Sequence, residues 1–152
     1  GSDGTASAAA PEGTVVRMLE PTDTALAAVL AVVDHAFGGS GRPAHLEYHR
    51  AQMRAGLIRT CAALAAGVAE PTALGGGSHV PREDVSEIVG VAVAPEARRR
   101  GLGSAITATL AADARAGGAR LVFCSAGTPE ADRVYRRLGF RQVGTGVRAS
   151  VP

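Results

Sequence analysis

Two hydrophobic periods alternate along the chain, and the switches between them outline its elements. Residues 14–19, TVVRML, read as a strand that Pro21 ends. Thr22 or Asp23 can cap a helix in which Leu26, Val29, Leu30, Val33 and Phe37 recur at helical spacing until Gly38-Gly39. A second helix is predicted from Pro43, with Leu46, Met53 and Leu57 on one side and Gly56 near its end. Strands follow at 58–67 and 72–80, with Gly67 at the turn between them. Three consecutive glycines, 75–77, weaken the second strand and point to a bulge or a close approach by another backbone or a ligand. Residues 81–84, PRED, read as a turn.

VSEIVGVAV (85–93) is the strongest strand signal. Strict alternation puts Val85, Glu87, Val89, Val91 and Val93 on one face and leaves Ser86, Gly90 and Ala92 to make the other face narrow. A helix from about Ser104 to Ala116 carries Ile106, Leu110 and Ala114 on one side and stops at Gly117-Gly118. Residues 120–126 read as a buried strand, and the strand–helix–strand order implies a parallel crossover. Thr128 can cap a last helix in which Ala131, Val134, Tyr135 and Leu138 lie on overlapping faces. Gly139 supplies its left-handed stop and Phe140 opens a final strand. Residues 1–13 read as a tail, with Gly1-Ser2 like the scar of a cleaved tag, and 14–152 as one domain.

Composition narrows the classes. With 152 residues, 46% hydrophobic and 20% charged, a soluble globular domain with a sizeable core is expected. Aromatics are only 3%, so the core rests on Ala, Val and Leu, and stacking on nucleobases finds little material. A net charge of +2 is too small to argue for nucleic acid. The basic residues cluster at 98–100 and 133–141, which suits a small anionic ligand. The two cysteines, Cys61 and Cys124, have neither metal-binding spacing nor a disulfide framework. No apolar run approaches a membrane span and no signal peptide is visible, so a cytoplasmic protein with no membrane partner is expected. His35, His45 and His49 fall in the first two helices, where they could line an acceptor pocket or stand as partly exposed helix histidines.

The chemistry concentrates in Val91–Ser104, VAVAPEARRRGLGS. A strand runs through a turn at Pro95 into three arginines, then Gly-Leu-Gly, then a helix. Glycines let backbone approach a ligand, and the free N–H groups of a helix's first turn point at it. Arg98, Arg99 and Arg100 add positive charge at the same place, so the stretch suits a pyrophosphate. No Lys-Ser/Thr pair follows the second glycine, which excludes a P-loop. Ile106 stands where a dinucleotide fingerprint needs a small residue.

Arg98-x-x-Gly101-x-Gly103 resembles the acyl-CoA pyrophosphate loop of the GCN5-related N-acetyltransferases, the GNAT superfamily. A second signature agrees. TPEADRVYRRLGF (128–140) is similar to the family's closing helix, with Ala131, Val134, Tyr135, Gly139 and Phe140 at its pattern positions. The match covers about residues 85–140 in detail, and 14–80 only as an order of elements.

The resemblance implies an α/β fold with a mixed sheet whose central strands splay around the cofactor, acetyl-CoA as cosubstrate, and no metal. It implies that the backbone of Val91, Ala92 and Val93 pairs with the pantetheine arm, and that Arg98, Arg99, Arg100, Gly101, Leu102, Gly103 and Ser104 hold the pyrophosphate. Tyr135 would protonate the departing thiolate, since a phenol with a pKa of about 10 keeps its proton at neutral pH. Glu87 lies eleven positions before Arg98, the offset of the catalytic glutamate in histone-acetylating members, and would serve as base toward a small-molecule or peptide amine; His79 and Glu83 are the fallbacks. Thr128 stands where many members carry Asn, and would offer a hydroxyl to the cofactor or only cap the helix. Twelve residues follow Phe140, too few for the family's usual closing hairpin, so a second subunit or the N-terminal tail is expected to cover that sheet edge, and a homodimer stays open. The alternative is an acyl-CoA-binding module without catalysis, which would need neither Tyr135 nor Glu87.

Overall fold

A computed structural model describes residues 9–40, 45–70, 72–126 and 129–144. Five strands, β1 (Thr14–Met18), β2 (Arg59–Ala65), β3 (Ala73–Arg82), β4 (Val85–Val93) and β5 (Leu121–Cys124), lie in the order β1-β2-β3-β4-β5. The first four are antiparallel neighbours, and β5 runs parallel to β4. Helices α1 (Leu26–Ala36) and α2 (Leu46–Arg54) connect β1 to β2. Helix α3 (Leu102–Ala116) makes the crossover from β4 to β5, and α4 (Pro129–Arg137) follows.

Helices cover both faces of the sheet, which explains why β2 is apolar at nearly every position. Cys61 and Ala63 point to the α3 side, where they meet Ile106, Leu110 and Ala114. Ala62 and Leu64 point to the other side, against Leu26, Val29 and Met53. Fully enclosing Ile106 and Leu110 contributes about 1.5–3 kcal/mol for each side chain. The three glycines of β3 make these contacts possible. A Cβ on Gly76 would lie 2.4 Å from Val29 Cγ1, and one on Gly77 would lie 2.9 Å from Val91 Cγ2. The sequence suggested a bulge or a close approach by another backbone or a ligand; a bulge does lie opposite this run, a Cβ on Gly75 would lie 2.6 Å from the Ala92 carbonyl oxygen, and at Gly76 and Gly77 the nearest atoms are side chains.

One irregularity in β4 changes how its side chains are divided. Gly76 pairs with Ala92 but Ser78 pairs with Val89, so β4 carries one residue more than β3 across this interval. That is a bulge, and Gly90 supplies it with a left-handed φ of +63°. The extra residue shifts the alternation by one. Ser86 and Ile88 face α3, and so do Val91 and Val93 beyond the bulge, while Glu87 faces the opposite side. The expected single face of Val85, Glu87, Val89, Val91 and Val93 is therefore two faces, and Glu87 is not set among buried valines.

Several element edges differ from expectation. Pro81 and Arg82 belong to β3, leaving only Glu83 and Asp84 as the turn, with Glu83 at a φ of +55°. Helix α3 starts at Leu102 rather than Ser104. Phe37 and Leu57 lie just past their helices and are exposed rather than core. Strand β5 is shorter than predicted and buried only on its α3 side; Leu121 is 57% and Phe123 39% exposed. Gly139 does end α4 with a φ of +95°. Residues 140–144 form no strand, and the rest of the predicted final strand lies outside the described residues.

Candidate active site

Strands β4 and β5 share only four rungs, from Val85↔Leu121 to Ile88↔Cys124. Beyond Ile88, β4 continues through Val89–Val93 with no β5 residue beside it. The two strands part there and leave a slot. The amide of Ala94 donates to Leu74 of β3, so strand alternation turns the backbone groups of Val93, and of Val91, toward the slot. Ala92 has its backbone toward β3, opposite Gly76. The Val93 carbonyl accepts a hydrogen bond from Arg98 Nε at 3.3 Å, which folds the first arginine back over the strand's end.

The turn that follows presents the N-terminus of α3. A short 3-10 turn at Pro95–Ala97 leads into Arg98, Arg99 and Arg100, all exposed. Arg99 has a φ of +64° and Gly101 one of +84°, and these left-handed residues turn the chain into the helix. Glycine takes that conformation without steric cost, whereas arginine does so only under strain. Gly101 is the N-cap and no side chain caps the helix, so the first-turn amides have no partner from a capping group. A Cβ on Gly101 or Gly103 would meet nothing within 4 Å. An uncapped helix N-terminus, open space beside two glycines and three exposed guanidiniums together fit a pyrophosphate. These residues therefore fit the CoA that the sequence implied. The adjoining cleft, about 470 Å³, is lined by Val32, His35, Val93, Glu96 and Arg98. His35 is thus the one histidine of the first helices that borders this region.

Where β5 ends, Cys124 lies within electrostatic reach of Glu87 and, separately, of Tyr135. Burial, then the charge of Glu87, push the Cys124 thiol up to about 11. Burial, then Cys124, push the Tyr135 hydroxyl up to about 12. Tyr135 is held on α4 against Phe140, with ring centroids 5.8 Å apart. Cys124, at the end of β5 and packed on the α3 side, is thus near Glu87 of β4, on the opposite face, and near Tyr135 of α4. Thr128 lies outside the described residues.

The fallback bases do not join them. His79 is fully buried on the α3 face, with Nδ1 2.7 Å from Ser86 Oγ and Nε2 2.7 Å from Asp113 Oδ2. Asp113 also accepts from Arg59 Nε at 2.6 Å and from a second Arg59 nitrogen at 3.0 Å. Burial alone pushes the Asp113 carboxyl up, but these hydrogen bonds outweigh it and hold it below its ordinary value. Glu83 sits at the far hairpin, on a separate cleft beside His79 and Asp113. His49 is likewise structural. Its Nε2 lies 2.8 Å from Thr60 Oγ1, which lies 2.9 Å from Ser78 Oγ, and burial lowers its pKa. The Arg59–Asp113–His79–Ser86 chain is the arrangement that the sequence reading missed. Its signal was a carboxylate at Asp113, one turn after Leu110 on the apolar stripe of α3. Among the described residues, no group of three or more His, Cys, Asp or Glu side chains could hold a metal ion. Nor is any helix among them long and apolar enough to cross a membrane.

A mixed sheet in which β4 runs on past the end of β5, with a glycine–arginine turn opening the next helix, is an arrangement suited to an acyl-CoA-dependent acyltransferase. The sequence pattern of the Acetyltransferase (GNAT) family matches residues 27–140, and the chain belongs to that family, whose members are acyl-CoA-dependent N-acetyltransferases. No curated protein matches the chain in sequence. Solved structures agree on the fold. An acetyltransferase from Trypanosoma brucei is 24% identical, with 91% of this chain and 99% of that one covered and a TM-score of 0.72. Glucosamine-6-phosphate N-acetyltransferase from Arabidopsis thaliana is 15% identical over 93% of this chain and 100% of that one, with a TM-score of 0.74. The aminoglycoside acetyltransferase AAC(6')-Iy, in complex with a CoA-linked bisubstrate analogue, is 19% identical over 91% and 98%, with a TM-score of 0.73.

Proposed function

We propose that the protein transfers an acetyl group from acetyl-CoA to an amine by direct attack in a ternary complex. One observation carries this reading. The length of β4 beyond Ile88 that has no β5 neighbour leads to the uncapped start of α3, with Glu87 on the last β4–β5 rungs and Tyr135 near Cys124, where β5 ends. Solved relatives named for aminoglycoside and glucosamine-6-phosphate acceptors support a small amine as the second substrate.

Acetyl-CoA supplies an activated thioester. First-turn amides of α3, with Arg98, Arg99 and Arg100, hold its pyrophosphate, while the backbone of Val91 and Val93 aligns its pantetheine arm. The Val93 amide, turned into the slot, donates toward the thioester carbonyl and favours charge on that oxygen. Glu87 takes a proton from the incoming ammonium, directly or through water. Tyr135, pushed up to about 12, keeps its proton across the neutral range and stabilises the leaving sulfur by hydrogen bonding, giving up the proton as the thiolate forms.

Two measurements test this. In calorimetry, acetyl-CoA binds at micromolar concentration and ATP much more weakly; no acetyl-CoA binding at millimolar concentration refutes the site. Tyr135→Phe then lowers the transfer rate by about 10²-fold with CoA affinity nearly unchanged. An unaltered rate removes Tyr135 from the mechanism. Retained binding without turnover of any amine favours a CoA-binding module.

A further inference from the structure

We infer that the acceptor is a singly charged amine bearing an alkyl or aryl group, held by an apolar shelf around Glu87. This inference rests on the acetyltransferase reading above and adds the acceptor's class to it. On the sheet face away from α3, Glu87 pairs with Val80 of β3 on one side and Phe123 of β5 on the other. The next rung on that face holds Val85 and Leu121. One carboxylate is therefore ringed by four apolar side chains.

The shelf is open. Leu121 is 57% and Phe123 39% exposed, while Val80, Val85 and Glu87 are half-buried. Helix α1 leaves it uncovered because it packs over the other half of β4; Val33 stands beside Gly90, beyond the last β4–β5 rung. Adjacent exposed apolar side chains beside a cleft mark a binding surface more often than an accident of composition.

Charge complementarity selects the occupant. Glu87 offers one negative charge to one ammonium. Arg82, exposed and opposite Val85 on the same face, adds positive charge at the border. A polycationic amino sugar would set its further ammonium groups against Arg82 and against apolar surface, with no second carboxylate on the shelf among the described residues to receive them. A phosphorylated sugar would reach Arg82 with its phosphate but would lay its hydroxyls against the apolar side chains of Phe123 and Leu121. An amine with a single ammonium and an apolar body places its charge at Glu87 and buries the rest against Phe123 and Leu121.

The test uses the full chain with acetyl-CoA and four acceptors: phenethylamine, isoamylamine, kanamycin and glucosamine 6-phosphate. The two apolar monoamines are expected to show at least tenfold higher kcat/KM than the two sugars. Phe123→Ser and Leu121→Ser, both at exposed positions, each raise KM for phenethylamine severalfold, with kcat within about twofold and acetyl-CoA affinity unchanged. A preference for kanamycin or glucosamine 6-phosphate overturns the inference, as does an unchanged KM in both variants. Light scattering that shows a dimer dissociated by Phe123→Ser also overturns it, because the shelf is then an interface between copies. Loss of acetyl-CoA binding in the unmutated protein overturns the parent reading, and this inference with it. Binding and turnover with the wrong acceptor preference overturn this inference alone.

Discussion

Replacing Asp113 by alanine removes the hub of the buried polar chain. Three hydrogen bonds end on this carboxylate, one from His79 and two from Arg59. Their losses are unequal. The Arg59 side chain is 53% exposed and returns to water, so its share is at most about 1 kcal/mol. The His79 side chain is 2% exposed and cannot, so an unpaired ring nitrogen costs about 1–3 kcal/mol. Asp113→Ala is therefore expected to lower stability by about 1–4 kcal/mol, Arg59→Ala by under about 1, and Asp113→Asn, which keeps one acceptor, by an intermediate amount. Urea unfolding followed by circular dichroism reads the three midpoints. Acid adds a second reading. The Asp113 carboxyl is held below its ordinary value of 3.8 in the folded protein, so the unfolded chain binds its proton first as the pH falls. Its contribution is complete above the unfolded value and disappears as the pH drops through the lower folded one. Wild-type protein should thus lose stability below about pH 4–5 more steeply than Asp113→Asn. If Arg59→Ala costs as much as Asp113→Ala, or if the acid slopes coincide, the buried histidine is not what makes Asp113 important.

Other expectations follow from single positions. Gly76→Ala places a methyl 2.4 Å from Val29 Cγ1 and 2.8 Å from the Cys61 carbonyl oxygen, and should cost at least about 1–3 kcal/mol in the same urea assay. A midpoint equal to wild type means that α1 does not press on β3 as described. Gly101→Asp puts a side chain on a residue with a φ of +84° and an anion at the start of α3, so CoA affinity measured by calorimetry should fall more than tenfold. Undiminished affinity would move the pyrophosphate elsewhere. Glu87→Gln should slow transfer by about 10²-fold near neutral pH, with the deficit shrinking as the pH approaches the acceptor's own pKa. A deficit equal at every pH assigns Glu87 a structural part.

Most of this fold was legible because its strongest signals are local. Helix α3 shows its buried stripe at Ile106, Leu110 and Ala114, and the glycines at 117–118 and 139 end helices as their backbone freedom suggests. The glycine–arginine turn was readable for the same reason. The direction of the β4 side chains was not. Alternation is a local rule, whereas the bulge at Gly90 is set by how β4 matches β3 across the sheet. Sequence therefore placed Glu87 with Val91 and Val93, and pairing separates them. The role of His79 was hidden similarly, since its partner Asp113 is 34 residues away. Phe123 was assigned to a buried strand because apolar content does not reveal that β5 is packed on one face only.

The short pairing of β4 with β5 has a consequence for timing. Since the strands already diverge after the Ile88↔Cys124 rung, entry of a ligand between them breaks no interstrand hydrogen bond. Among the described residues the slot stands open between β4 and the end of β5, so no strand pair has to separate before a ligand enters. Arrival should then be limited by diffusion and by the pull of the three arginines at the slot's end. Residence time, rather than access, would set how tightly a guest is held.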